Sequence, residues 1–273
     1  MKEKNEELFC SMPIPKAILV LAVPTVISQI ITIIYNMADT FFIGQLGEPR
    51  QVAAATLIMP LFMFMTALSN LFGVGGSSLI SRFLGANEHK KASHCCAFCI
   101  WTTTVSAFLY GIFMLLFCPV LMPVLGANEE TLPLASSYLF WTIGIGAVPT
   151  VLNPALAHLI RAEGYSKQAS FGVAFGGVLN ILLDPLFIYG LRLQITGAAI
   201  ATLISNTIAL LYFLHFIWKI RATSVLTLSP RMYRITDHIP SEVLSIGLPS
   251  FLISMMGTVS NTVLNHIIAG YSN

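Results

Sequence analysis

Residues 17–38 read AILVLAVPTVISQIITIIYNMA and contain no Asp, Glu, Lys or Arg. A helix needs about 20 apolar residues to cross the hydrocarbon core of a bilayer, so this stretch is long enough to span a membrane. A strand of a membrane β-barrel is about half as long and alternates in polarity, which this stretch does not. The run therefore predicts a transmembrane α-helix and sets the expected fold class.

The composition of the whole chain agrees with a membrane environment. Of its 273 residues, 56% are hydrophobic and 10% are charged, and the mean hydropathy is +0.80. A soluble domain carries about 25% charged residues, so the composition excludes an ordinary soluble enzyme. It also excludes a disordered chain. The formal net charge of +2 is too small to indicate a nucleic-acid partner.

Comparable apolar runs recur along the chain, and one of them, 168–191, is broken only by Asp184. Each run is long enough to cross a bilayer. The sequence therefore predicts an all-α polytopic membrane protein with seven crossings. The predicted segments are 15–43, 52–81, 92–118, 132–160, 167–190, 196–219 and 242–269.

The lysines and arginines indicate the orientation of these segments. If the N-terminus lies inside and the spans alternate, 12 of the 14 Lys and Arg residues fall on the inner side, and only Arg50 and Arg192 fall outside. Inner segments normally carry the excess of positive charge, so this bias supports both the topology and the helix count. We expect a multi-pass protein of the plasma membrane with a cytoplasmic N-terminus.

An internal repeat predicts how the crossings are grouped. Leu21–Pro24 and Ile246–Pro249 align at an offset of 225 residues, and at this offset Asn36 matches Asn261. The alternative is coincidence, because proline is common in membrane helices. A repeat of six crossings predicts two parallel lobes and about twelve helices in the complete protein. The predicted units are a six-helix lobe (1–219), a cytoplasmic inter-lobe linker (220–241) and the first helix of a truncated second lobe (242–273).

Asp39 and Asp184 are the two acids that fall inside predicted spans, and the other ten lie in loops, tails or at helix ends. A charged side chain in a span costs about 2.5–3.5 kcal/mol on insertion scales, so such residues are functional by default. Each lies near the outer end of its helix, roughly 8 Å below the interface at the helical rise of about 1.5 Å per residue. Two carboxylates at one depth can share a cation or a proton.

The polar neighbours of Asp184 fit a cation site. Asn180 precedes it by four residues and shares its helix face, and Thr202 enters at a similar depth on the next helix. Pro185 leaves a backbone carbonyl one turn back without its usual donor. Oxygen ligands of this kind suit Na⁺. The alternative is that the acids are hydrated near the interface and the other polar residues only join helices.

Two further features have both a structural and a functional reading. Pro24, in the middle of the first helix, predicts a kink, and a hinge coupled to Asp39 is a further hypothesis. The cysteines and histidines at the inner end of the third helix form a conceivable metal-ligand set, but no second ligand pair for a structural zinc site is evident. We therefore expect reduced thiols and no transition metal there. These residues are Cys95, Cys96, Cys99, His89 and His94.

Five motifs together resemble the multidrug and toxic compound extrusion (MATE) family over the whole of the first lobe. The most specific is Asn180–Ile188 (NILLDPLFI), which is followed by Gly197–Thr202 (GAAIAT). Each motif is weak alone, and the combination is specific. The other three are Asn36–Gly44 (NMADTFFIG), Ser81–Ala86 (SRFLGA) and Arg161–Tyr165 (RAEGY).

The resemblance implies a two-lobe exporter of cationic, lipophilic compounds that is driven by inward movement of Na⁺ or H⁺ and needs no other cofactor. It also implies a cation site in the first lobe made of Asp39, Asn180, Asp184 and Thr202. On the fourth helix, Tyr138 and Asn153 match the Tyr and Asn that take part in the family's site. The chain departs from the family pattern because five helices of the second lobe are absent.

Three other readings remain open. A flippase for lipid-linked precursors has a related architecture but would need a more basic central cavity than the few intramembrane cations here provide. An intramembrane enzyme would need a catalytic constellation, such as a Ser–His pair, at one interface. A single lobe could also be inactive alone, because it has no opposing wall to close a cavity.

Overall fold

The computed structural model describes residues 12–235 and 238–271, with side chains of the last helix described as far as Gly257. Regular structure in these residues is helical throughout, and no strand occurs among them. Two π-helical segments (Phe140–Ile145 and Leu186–Gly190) and a 3-10 turn (Pro230–Met232) interrupt or join the helices. The α-helices are α1 (Ile14–Gly44), α2 (Pro49–Gly85), α3 (His89–Val124), α4 (Leu132–Leu139), α5 (Ala147–Ala162), α6 (Ser166–Pro185), α7 (Gln194–Ile220) and α8 (Ile239–Tyr271).

The predicted all-α membrane fold is confirmed. Six helical spans among the described residues are long and apolar enough to cross a bilayer, and the bent pair of α4 and α5 raises the number to as many as seven. Large apolar side chains on the outer faces of α1, α3 and α6 are exposed, for example Ile18, Leu116 and Leu182. Such faces are stable in lipid, which solvates apolar side chains but offers no partner to a free backbone group.

The fourth crossing is broken, whereas the sequence predicts one continuous helix over 132–160. α4 and the following π segment meet α5 at an angle of 51°. The amide of Gly146 bonds the carbonyl of Trp141 at 3.1 Å, five residues back. A Cβ at Gly146 would overlap the carbonyl oxygen of Thr142, so this tight turn of the backbone requires glycine. Pro149 has no amide hydrogen and lies in the first turn of α5, where a helix tolerates a missing donor. The crossing continues from there at the new angle.

α8 packs against α2 at a glycine-mediated contact. A Cβ at Gly247 would overlap the carbonyl oxygen of Leu71, and a Cβ at Gly75 would overlap that of Val243. Small residues at both positions let the two backbones approach closely, as is common between membrane helices. The predicted repeat partner of Asn36, Asn261, lies outside the residues whose side chains are described.

The segment between α7 and α8 is docked on the end of the lobe where α5 ends. Glu163, which ends α5, accepts hydrogen bonds from the hydroxyl of Ser224 and from the amide of Val225 (3.1 Å). Burial raises the pKa of Glu163, although both hydrogen bonds oppose this shift. Leu226 is fully buried beside them. The predicted linker 220–241 is therefore a strap along the lobe for much of its length, and α8 begins at Ile239.

The cysteines of α3 lie at packing contacts with α2 and with the segment that follows α7. The thiol of Cys95 donates to the carbonyl of Gly76 (3.9 Å), and that of Cys96 donates to the carbonyl of Thr227 (4.0 Å). Nδ1 of His94 lies 2.9 Å from the carbonyl oxygen of Met232. In the ranges that the structure describes, no group of three or more His, Cys, Asp or Glu residues is arranged to hold a metal ion.

Replacing Gly247 by Ala should lower the free energy of unfolding by about 1–3 kcal/mol, because the new methyl group overlaps the backbone of α2. Gly257→Ala is the matched control on the same helix, since a Cβ there meets nothing within 4 Å. Unfolding in mixed detergent micelles measures both variants. Equal stability of the two would contradict the close contact between α2 and α8.

Glu163→Ala should release the strap locally. Loss of a charged acceptor costs about 1.5–3 kcal/mol, so hydrogen exchange at the Val225 amide should accelerate about ten-fold or more. Glu129→Ala, which removes an exposed acid from the α3–α4 loop, should leave that amide unchanged. Hydrogen–deuterium exchange with mass spectrometry reports the difference, and an unaltered rate in Glu163→Ala would show that the carboxylate does not hold the strap.

Candidate cation site between α1, α4, α6 and α7

Asp184 lies in the last turn of α6 with its side chain fully buried. Nδ2 of Asn180 donates to Oδ1 of Asp184 at 3.1 Å and to Oγ1 of Thr202, on α7, at 3.4 Å. Pro185 has no amide hydrogen for the carbonyl of Ile181, and the backbone continues into the π segment Leu186–Gly190. The acid therefore lies where the helix changes its hydrogen-bond register, a feature that is frequent at functional sites.

Asp39 approaches the same space from α1. Its carboxylate is close enough to that of Asp184 to interact with it electrostatically. The phenol of Tyr138, from α4, lies within electrostatic range of both carboxylates. The structure thus brings together five of the six residues that the sequence assigns to a cation site, and they come from four helices.

α1 and α6 make a close contact one turn from Asp39. A Cβ at Gly177 of α6 would lie 3.0 Å from Cδ1 of Tyr35 on α1, so the glycine makes room for this ring. Nearer the outer end, the hydroxyl of Tyr189 donates to the carbonyl of Phe42 at 2.7 Å, and the two rings meet edge to face. α1 is therefore fixed to α6 on both sides of Asp39.

Three buried oxygens at this site have no hydrogen-bond donor among the described residues. They are Oδ1 of Asp39, Oδ2 of Asp184 and Oδ1 of Asn180. Neither acid forms a salt bridge with a Lys, Arg or His in the described part of the chain. Buried acceptors without donors are costly, and a bound cation or a proton would satisfy them.

Asn153 lies in a neighbouring polar cluster. Its Nδ2 donates to Oδ1 of Asn206 (3.4 Å), and Nδ2 of Asn206 donates to Oγ1 of Thr150 (3.2 Å). Its hydrogen bond is thus made to α7 and not to either carboxylate. Since Asn206 follows Thr202 by four residues on α7, the two clusters share one helix face and lie one turn apart.

Pro24 lies inside α1, fifteen residues before Asp39. At about 1.5 Å per residue the two are roughly 22 Å apart along the helix, so Pro24 cannot contact the site. A role as a hinge stays a prediction.

Tyr35 is a site residue that the sequence reasoning missed. Its phenol lies within electrostatic range of Asp39 and Tyr138. The signal was present, because Tyr35 precedes Asp39 by four residues, the same spacing that places Asn180 beside Asp184. Asn206 and Thr150 carried no comparable signal, since their partnership depends on how α5 and α7 pack.

A groove of about 510 Å³ lies beside the site, between α1 and α2. Its walls are largely apolar, with Ile33, Met37 and Phe41 from α1 and Met59 from α2. Polar atoms come from Thr40, which follows Asp39 directly, and from Asn36, about one turn before it. It is shallow and open, and its apolar side chains are exposed.

Comparison with known proteins identifies the family. The MatE family model matches residues 24–186, which contain Asp39, Tyr138, Asn180 and Asp184. The chain belongs to the MatE family. The family to which the sequence motifs pointed is therefore confirmed, and the match covers the lobe from the α1 proline to the π segment after α6.

Similar MatE-type proteins are transporters. The multidrug export protein MepA of Staphylococcus saprophyticus is 33% identical to the whole chain, which spans 60% of the length of that relative. A multidrug resistance MATE family transporter of the MOP superfamily, in an outward-facing conformation, matches 97% of this chain and 58% of its own, with a TM-score of 0.86 and 30% identity. An inward-facing structure of such a transporter matches 82% of this chain and 50% of its own, with a TM-score of 0.77 and 31% identity.

Gly177→Val should displace α1 from α6, because the larger side chain meets the ring of Tyr35. We expect the free energy of unfolding to fall by about 1–3 kcal/mol, as is typical when extra atoms enter a packed contact. Gly44→Ala serves as a control, since a Cβ there has open space around it. Unfolding in detergent micelles measures both, and an unaffected Gly177→Val protein would mean that this contact does not fix α1.

Proposed function

We propose that the chain forms the first lobe of a secondary multidrug exporter, which exchanges cationic, lipophilic compounds for Na⁺ or H⁺. Membership of the MatE family and the likeness to export proteins support a transport role. Coupling to a cation is supported by one observation. Three buried side-chain oxygens, one each from Asp39, Asn180 and Asp184, have no hydrogen-bond donor among the described residues. An alkali cation prefers oxygen ligands. Two carboxylates close to each other can also hold a shared proton.

The electrostatics of the lobe explain how a cation would act. Without a cation, two ionised carboxylates within electrostatic range of each other repel, which favours separation of α1 from α6. A bound Na⁺ or a proton removes this repulsion and lets the oxygens share one partner. The affinity of the lobe for the cation then depends on the position of α1, and by linkage the cation changes that position.

Substrate release would follow from this coupling. In the proposed cycle, a cation enters from the outer side, reshapes the lobe around Asp39 and Asp184, and releases the compound outward. Empty or deprotonated carboxylates favour loading of the compound. The largely apolar groove beside Asp39 supports the compound class, because its walls suit a lipophilic body and the nearby acids attract a cationic group.

The second lobe completes the proposed transporter. The chain spans 60% of the length of the curated relatives it matches, and one lobe has no opposing wall. We therefore infer alternating access between two lobes in the plasma membrane, with the N-terminus on the cytoplasmic side. The 12-to-2 distribution of positive residues supports this orientation.

Efflux in inverted membrane vesicles, with the complete gene product, tests the coupling. A Na⁺ gradient and a pH gradient are applied separately, and the one that drives uptake of a fluorescent lipophilic cation identifies the coupling ion. Asp39→Asn and Asp184→Asn should each reduce driven transport at least about ten-fold, since each removes a charged ligand worth about 1.5–3 kcal/mol.

Glu129→Gln is the matched control, because it neutralises an exposed acid outside the site. It should transport normally. Normal transport by both aspartate variants would overturn the proposed coupling. Thermal unfolding gives a second measurement that does not depend on transport: a cation should stabilise the original protein and should no longer stabilise either variant.

A further inference from the structure

Most side chains of α1 stay at least partly exposed, although the helix packs along α6. The buried residues of this long helix are Ser28 and Ile43, and Ile43 lies at the outer end. Large side chains on the inner half, such as Ile18, Val23 and Ile27, are exposed. Ser28 is therefore the one position of the inner half at which α1 enters the interior of the lobe.

Arg161 of α5 lies at that position. Its Nη2 donates to Oγ of Ser28 at 3.4 Å. The hydroxyl of Ser28 donates in turn to the carbonyl of Thr25 at 2.8 Å, and the hydroxyl of Thr25 donates to the carbonyl of Leu21 at 3.1 Å. This chain of hydrogen bonds runs along α1 across Pro24, where the proline has removed a backbone donor.

The charge of Arg161 has no carboxylate partner in the part of the chain that the structure describes. Its Nε is buried without a hydrogen-bond acceptor among these residues. The groups near it are the imidazole of His158, one turn back on α5, and the carbonyl end of α5 itself. A half-buried guanidinium without a counter-ion costs free energy. Since no ion pair holds Arg161 in place, its hydrogen bond to Ser28 is a contact in its own right.

The outer half of α1 is held in a different way. There Tyr35 packs on Gly177, and the carbonyl of Phe42 accepts the hydroxyl of Tyr189. The first contact joins α1 to α6 and the second joins it to the π segment that follows α6, whereas the Arg161 contact joins it to α5. If the polar contact at Ser28 were lost, the outer half of α1 would stay in place and the half with the Pro24 kink could tilt.

We propose that Arg161 is a positioning residue that clamps α1 to the lobe at Ser28. The clamp limits tilting of the half of α1 that contains Pro24, while the contacts of Tyr35 and Phe42 hold the segment with Asp39. The clamp is a property of the lobe itself, and its consequence for transport rests on the proposed function.

Distance measurements between paired spin labels test the clamp in the complete protein in nanodiscs. In a Cys10→Ser background, one label pair at Ile18 and Phe171 reports the inner half of α1 against α6. A second pair at Met37 and Leu186 reports the outer half, and all four positions are exposed.

Ser28→Ala removes the acceptor and leaves Arg161 in place. In this variant, the fraction of molecules with a displaced α1, measured at the inner pair, should rise about ten-fold. This is the change expected from losing one hydrogen bond to a charged group. The distance distribution of the outer pair should stay unchanged. Arg161→Gln should have the same effect. Arg161→Lys keeps a cationic donor and should show the same narrow distance distribution at the inner pair as the protein with Arg161. Thr32→Ala is the matched control, since Thr32 bonds only the carbonyl of Ser28 on its own helix (2.9 Å).

An unchanged inner pair in Ser28→Ala would overturn the proposal. So would equal broadening of the inner and outer pairs, because that would show general loosening of the lobe. Since this readout needs neither substrate nor a gradient, it distinguishes failure of the clamp from failure of the proposed coupling.

Discussion

The placement of Asp39 and Asp184 in one apolar lobe, within electrostatic range of each other, is the constraint around which the remaining features of the site are arranged. A carboxylate in an apolar helical lobe is expensive, and two within electrostatic range of each other are more so. Asn180 offers an amide to Asp184 and its neighbour Thr202, yet three oxygens at the site stay without a donor among the described residues. The lobe is therefore arranged around acceptors that a small cation or a proton can satisfy.

Departures from regular helix occur next to the site residues. Tyr138 is followed by one π segment and Asp184 by the other. Pro185 and the sequence around Gly146 produce these changes of register, because proline withholds a donor and glycine allows the backbone a close approach. The 51° bend lies between Tyr138 and α5, and the change of register after α6 follows Asp184 directly. The same irregularity separates Asn153 from Tyr138, although both belong to one predicted crossing.

The inner side of the lobe is tied together by contacts of another kind. Glu163 bonds the strap after α7, and glycines bring the backbones of α2 and α8 into contact. α8, the helix that the internal repeat assigns to a second lobe, is thus attached to the first lobe over its described inner part. The contact between α2 and α8 is made by the two backbones, so no flexible side chain can absorb a displacement there. In the proposed transporter, motion between the lobes would therefore have to bend α8 or slide it along α2.

The sequence by itself determined the membrane fold, the approximate bounds of the helices and the family, because apolar runs have a length fixed by the bilayer and because motifs such as Asn180–Ile188 are local. It also identified Asp39 and Asp184, since an acid in an apolar run is conspicuous without any knowledge of packing. Their role in coupling stays a prediction. Only the tertiary structure decided that the fourth crossing is broken, that Asn153 bonds Asn206, and that Arg161 reaches Ser28. The last two contacts join residues more than 50 positions apart. Helical periodicity gives the face of each helix but not the rotation and depth at which two helices meet.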